Sequence, residues 1–188
     1  DRGNFCSICV VPRYLLNFLY TRSTSVVLPS IAYEERSVDT NKNFLKVEEL
    51  IELAVEFEQD SADYYRDLQN RVEDADSRTL LKTLENQEIE HRDTLKNFEL
   101  EDRAYPLLQY GPSFNISLPE VQSENPGLRE LLDVAIEREV ASREIYQNTA
   151  GQVFGNLADL LEDLAGFERE HEFKLKDMRD YLMGEERS

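Results

Sequence analysis

The chain has little of several things: two cysteines, two histidines, 21 lysines and arginines against 39 aspartates and glutamates, and no long apolar run. Each shortage excludes something. Cys6 and Cys9 both lie near the start, so the main body has no disulfide framework, and a four-thiolate zinc or iron site would need a second cysteine pair. Free thiols are the expectation for them, with bridging of two chains as the alternative. The shortage of cations leaves a formal net charge of -18, which argues against a nucleic-acid partner, because that binding depends on Lys and Arg replacing counterions. An acidic surface gathers cations, metal ions included, although solubility alone explains such a charge. The apolar run YLLNFLY, residues 14–20, is too short to span a bilayer and contains Asn17, so no membrane partner is expected. There is no Gly-rich phosphate loop and no HExxH pattern.

At 188 residues the chain has room for one sizeable core. Residues 1–42 differ in composition from the remainder. They mix Ser, Thr, Val and aromatics, are interrupted by Pro12 and Pro29, and nearly balance their charges. Pro12 and Arg13 break any secretory apolar stretch, so this extension reads as an organelle presequence, a tail packed on a partner chain or an appended artefact. A cytoplasmic location is expected, or an organelle if the extension is a presequence.

Residues 43–188 have helical periodicity. In FLKVEELIELAVEFEQDSADYYRDL, the residues Leu45, Val47, Leu50, Leu53, Ala54, Phe57, Ala62 and Tyr65 recur mostly at steps of three and four, as one buried helix face requires. A second helix is expected from an N-cap at Asp76 or Ser77 to about Glu101, with Leu80, Leu81, Leu84, Ile89, Leu95 and Phe98 on its apolar face. A proline-rich crossover follows. Asn125 as N-cap and Pro126 at the first helical position predict a third helix ending near Gly151. The fourth spans about Asn156 to Met183 and stops at Gly184. Two helical hairpins and a long crossover predict an all-α, ferritin-like four-helix bundle.

The two hairpins are similar in sequence. AVEFEQDSADYY from Ala54 aligns with AIEREVASREIY from Ala135, and LKTLENQEIEHRDTL from Leu81 aligns with LEDLAGFEREHEFKL from Leu161. Glu58 then matches Glu139, Tyr65 matches Tyr146, Glu88 matches Glu168 and His91 matches His171. Both histidines of the chain thus stand in a Glu-x-x-His motif, and no histidine is left as a base for Cys6 or Cys9. Residues three apart share a helix face, so each pair can reach one ion or two adjacent ions. If the apolar faces pack together, four carboxylates and two imidazoles meet at mid-bundle, the donor set of di-iron and di-manganese carboxylate bundles. Carboxylate and imidazole suit iron or manganese, and four negative charges match two divalent cations. A single Glu-x-x-His in so acidic a chain would ordinarily be a solvated face. Two copies at equivalent places, each with its own separate Glu and Tyr, point to a metal site.

AVEFEQDSADYY with ENQEIEH, and AIEREVASREIY with GFEREH, resemble the two halves of the rubrerythrin-like branch of the ferritin-like di-iron superfamily, over about residues 45–183. The resemblance implies a non-haem centre of two iron ions, with manganese or mixed metal as variants, that reacts with hydrogen peroxide or dioxygen. It implies Glu58, Glu88, Glu139 and Glu168 as carboxylate ligands, some of them bridging, and His91 and His171 as terminal ligands. Tyr65 and Tyr146 would hydrogen bond ligand carboxylates. A homodimer is implied as well. The pattern departs at Ser142, where rubrerythrins carry a further glutamate, and Ser61 holds the matching place in the first helix. The two CxxC pairs of a rubredoxin domain are also missing, so electrons are expected from an external donor such as a rubredoxin or a reductase. The expected function is an oxidoreductase, with an iron-handling ferroxidase or a non-catalytic acidic bundle as alternatives.

Overall fold

The computed structural model describes residues 44–101, 104–110 and 116–184; the readings of residues 1–42, Cys6 and Cys9 included, fall outside these. The architecture is an all-α four-helix bundle with one two-residue strand pair. Helix α1 spans Val47–Gln69, α2 Ala75–Lys96, α3 Leu128–Ala150 and α4 Asn156–Met183. Short links fold α1 against α2 and α3 against α4, and across the bundle α1 meets α3 and α2 meets α4. Among the described residues no helix is long and apolar enough to cross a membrane.

The helix ends follow local chemistry. Glu49 accepts a hydrogen bond from the backbone N–H of Lys46 at 2.9 Å, which fixes the entry to α1. The α2 cap is Asp74 rather than Asp76 or Ser77, because its carboxylate accepts from Ser77 N–H at 2.7 Å while Ser77 itself turns inward. That helix also ends at Lys96, five residues before the expected limit, with Asn97 as its C-cap. Helix α3 begins after Gly127, so Asn125 and Pro126 precede it instead of capping it. Helix α4 has the expected bounds. Gly184 closes it in the left-handed conformation, φ 68° and ψ 27°, which glycine adopts without a Cβ clash.

Strand β1, Phe44–Leu45, pairs antiparallel with β2, Leu108–Gln109, in the crossover. From beyond α3, the Gln152 side chain accepts from the Gln109 N–H at 2.6 Å and donates to the Gln109 carbonyl at 3.0 Å. The crossover is thereby tied at both edges of β2. Leu45 and Leu108 point inward there as part of the core.

The apolar interior has two parts. One gathers Leu50, Phe57, Leu95, Ile145, Leu157 and Leu161, and the other Leu68, Leu81, Leu84, Leu132, Leu175 and Met178. On every helix, a short polar stretch lies between the residues of one cluster and those of the other: Glu58 and Ser61 on α1, Glu88 and His91 on α2, Glu139 and Ser142 on α3, Glu168 and His171 on α4. The bundle is a polar layer held between two apolar ends.

Candidate metal centre

All six ligands expected from the sequence meet in that layer. Glu58, Glu88, Glu139 and Glu168 are 1 to 2 % exposed, His171 is fully buried, and His91 is 7 % exposed. Two groups form, each with donor atoms within 4.8 Å of one another. One is Glu58, Glu88, His91 and Glu168, and the other is Glu88, Glu139, Glu168 and His171. Glu88 and Glu168 belong to both. The layer therefore offers two adjacent positions, each with a private Glu and His and both sharing two carboxylates, which are the bridging candidates.

The hydrogen bonding is incomplete in an informative way. Nδ1 of His171 lies 2.8 Å from Glu88, 3.2 Å from Glu139 and 3.5 Å from Glu168, yet neither ring nitrogen has a partner in hydrogen-bonding geometry. Buried oxygens of Glu88, Glu139 and Glu168 lack one too. His91 Nδ1, by contrast, is hydrogen bonded to Glu88 Oε2 at 3.3 Å and lies 3.7 Å from Glu58. Buried polar atoms are ordinarily paired, and an ionised carboxylate taken from water costs several kcal/mol unless compensated. At an effective dielectric of about 20, two like charges about 5 Å apart add about 3 kcal/mol of repulsion. Donor atoms that converge without pairing match what a cation requires, and oxygen with imidazole nitrogen is a donor set for iron or manganese. The residues fit a metal pair.

The electrostatics express the same crowding. Burial, then the charge of Glu139, holds the Glu88 carboxyl well above the ordinary range, and burial, then Glu88 and Glu58, does so for Glu168. Burial opposes ionisation of Glu139 as well, but its contacts with His171, Glu168 and Tyr65 outweigh this and lower it. Burial likewise opposes a charge on His171, yet its contacts with Glu139, Glu168 and Glu88 raise its affinity for a proton.

The tyrosines cross between hairpins. Tyr65 on α1 donates to Glu139 on α3, and Tyr146 on α3 donates to Glu58 on α1. Each orients the private carboxylate of the opposite hairpin. Burial, reinforced by those carboxylates, keeps both phenols protonated far above their ordinary range. Ser61 and Ser142 lie buried in the layer and add no further carboxylate.

Three features are absent from the sequence reading. Glu85 is a further buried carboxylate on α2, held outside the centre by Arg66, Lys82 and Gln69 at 2.8 to 2.9 Å. Arg138 is buried on α3, donating to the Pro119 carbonyl at 3.2 Å and lying over the Tyr64 ring. Phe167 stacks on His91 with ring centroids 5.0 Å apart, and His91 stacks in turn on His171 at 5.6 Å. Only the last had a usable signal, its place directly before Glu168.

No protein-family model, curated protein or solved structure matches the chain. Fold and site together define a four-helix bundle with buried Glu and His groups able to hold metal ions.

Proposed function

We propose that the protein is a non-haem di-iron carboxylate oxidoreductase of the rubrerythrin-like kind, reducing hydrogen peroxide or dioxygen with electrons from an external donor. The observation that carries this reading is the sharing of Glu88 and Glu168 by two adjacent four-residue groups, which fits a pair of ions. Glu58 and His91 would hold one ion and Glu139 and His171 the other. When bound, two ferrous ions supply the two electrons that convert a peroxide ROOH, with two protons, into ROH and water.

The chain's own residues set the conditions for that chemistry. The apolar clusters on either side exclude bulk water, which strengthens every interaction inside the layer. Tyr65 and Tyr146 fix the orientation of Glu139 and Glu58 through their hydroxyl protons. A separate redox protein as donor and a homodimeric assembly belong to the same reading.

The test is anaerobic ferrous loading followed by one equivalent of peroxide, with iron content and visible spectra recorded for wild type and His91→Ala. Two irons per chain, immediate oxidation, and loss of iron in the variant are the expected results. Uptake of many irons per chain would replace the reading with ferroxidase chemistry. Iron content indifferent to His91 would reduce the layer to a structural feature.

A further inference from the structure

Three rings run in series from the surface into the centre: Phe167, 41 % exposed, then His91, then the fully buried His171. Among the six site residues His91 has the greatest exposure, so its edge is where the layer comes nearest to water. Phe167 stacks on the face of the His91 ring, with the centroids 5.0 Å apart and the planes 25° from parallel. The aligned residue of the other hairpin is Gln87, a polar side chain, so the repeat does not account for an aromatic ring at this place. Two surface grooves, one lined by Arg143, Gln147 and Arg169 among others and one by Glu90, Asp93 and Thr94 among others, include none of the six residues.

A second, independent observation lies next to the ring. Gly166 sits in the middle of α4, where glycine is less favourable than alanine because it has more backbone freedom to lose. A Cβ there would meet nothing within 4 Å, so close packing does not call for glycine. Nor does a turn, since the helix runs on for four more turns to Met183. What glycine provides there, relative to alanine, is greater backbone freedom, directly beside Phe167 and two residues before Glu168.

We propose that Phe167, next to the backbone freedom of Gly166, is the access residue of the centre: it covers the His91 ring on the side nearest water and selects small oxidants over bulky hydroperoxides. This rests on the di-iron reading and specifies its substrate class. Passage along this side would require the ring to tilt away from His91, by less for hydrogen peroxide than for a bulky hydroperoxide. The same movement would limit how fast ions enter and leave.

The experiment uses the full chain loaded anaerobically with ferrous iron, comparing wild type with Phe167→Ala, Phe167→Leu and Gly166→Ala. Two rates are read: iron removal by a bipyridyl-class chelator, and oxidation by hydrogen peroxide against cumene hydroperoxide. Phe167→Ala is expected to speed iron removal about tenfold and to narrow the preference for hydrogen peroxide about tenfold, with Phe167→Leu intermediate and Gly166→Ala about threefold slower in removal. Unchanged chelation rate and unchanged preference in an iron-loaded Phe167→Ala chain would overturn this proposal alone. A wild-type chain that takes up no iron would overturn the di-iron reading and this proposal with it.

Discussion

Glu85 and Glu88 stand one turn apart on α2 and each has almost no accessible surface, but Glu85 lies under the half-exposed Arg66 and Lys82 while Glu88 lies in the bundle interior, and their surroundings are opposite. At Glu85 the protein supplies the compensation: Arg66, Lys82 and Gln69 all donate to it, and although burial pushes its carboxyl upward, these contacts lower it below the ordinary value. At Glu88 burial acts in the same direction, and the neighbours are mostly further carboxylates, so it is raised. The contrast teaches that a buried acid in this bundle is not by itself a site. At Glu88 and Glu168, unlike Glu85, the chain does not provide that compensation.

The largest effect should come from supplying that compensation. Saturating ferrous iron is expected to stabilise the wild-type chain by several kcal/mol in anaerobic urea unfolding, since each site at a thousandfold excess over its Kd contributes about 4 kcal/mol. Glu88→Gln should remove most of this gain while leaving the metal-free chain at least as stable, because a neutral amide relieves the repulsion. A metal-free Glu88→Gln chain that unfolds more easily would show that the carboxylate is compensated by the protein after all.

Leu132→Ala tests the apolar end next to the layer. The residue is fully buried, so the loss is expected at about 2 to 5 kcal/mol by the same unfolding assay. Iron stoichiometry should stay unchanged. An equal loss of iron would mean that the layer has no identity separate from its apolar ends.

Glu85→Gln should reverse the Glu88 pattern, weakening the fold by about 1 kcal/mol at neutral pH while retaining iron, given that Arg66 and Lys82 are half exposed and screened. Its folded carboxyl titrates below the ordinary 4.5, so its contribution is present above that pH and fades as pH falls through the lower folded value. The difference between wild type and variant should therefore vanish in acid. Smaller still is Asp74→Ala, about 1 kcal/mol or less, a helix-cap effect with no change in iron content.

The centre was more legible in the sequence than the helix ends around it. Six candidate ligands and two tyrosines could be read because the two hairpins repeat them in sequence, and repetition separates Glu88 and Glu168 from the many solvated glutamates. Glu85 carried no such mark. Its burial depends on Arg66 from another helix, which no spacing within α2 announces. At the start of α2 three residues in a row of four are good caps, and only the bond from Ser77 N–H chooses Asp74. Strands of two residues are too short to show a period, so the β1 and β2 pairing could not be anticipated. The stop of α4 was readable because Gly184 takes a conformation that favours glycine.

The most direct test of the central claim is anomalous diffraction at the iron edge from crystals of the ferrous-loaded chain. Two peaks in the polar layer, one beside Glu58 and His91 and one beside Glu139 and His171, with Glu88 and Glu168 touching both, are the predicted result. A single peak, or none between the two apolar clusters, would contradict it.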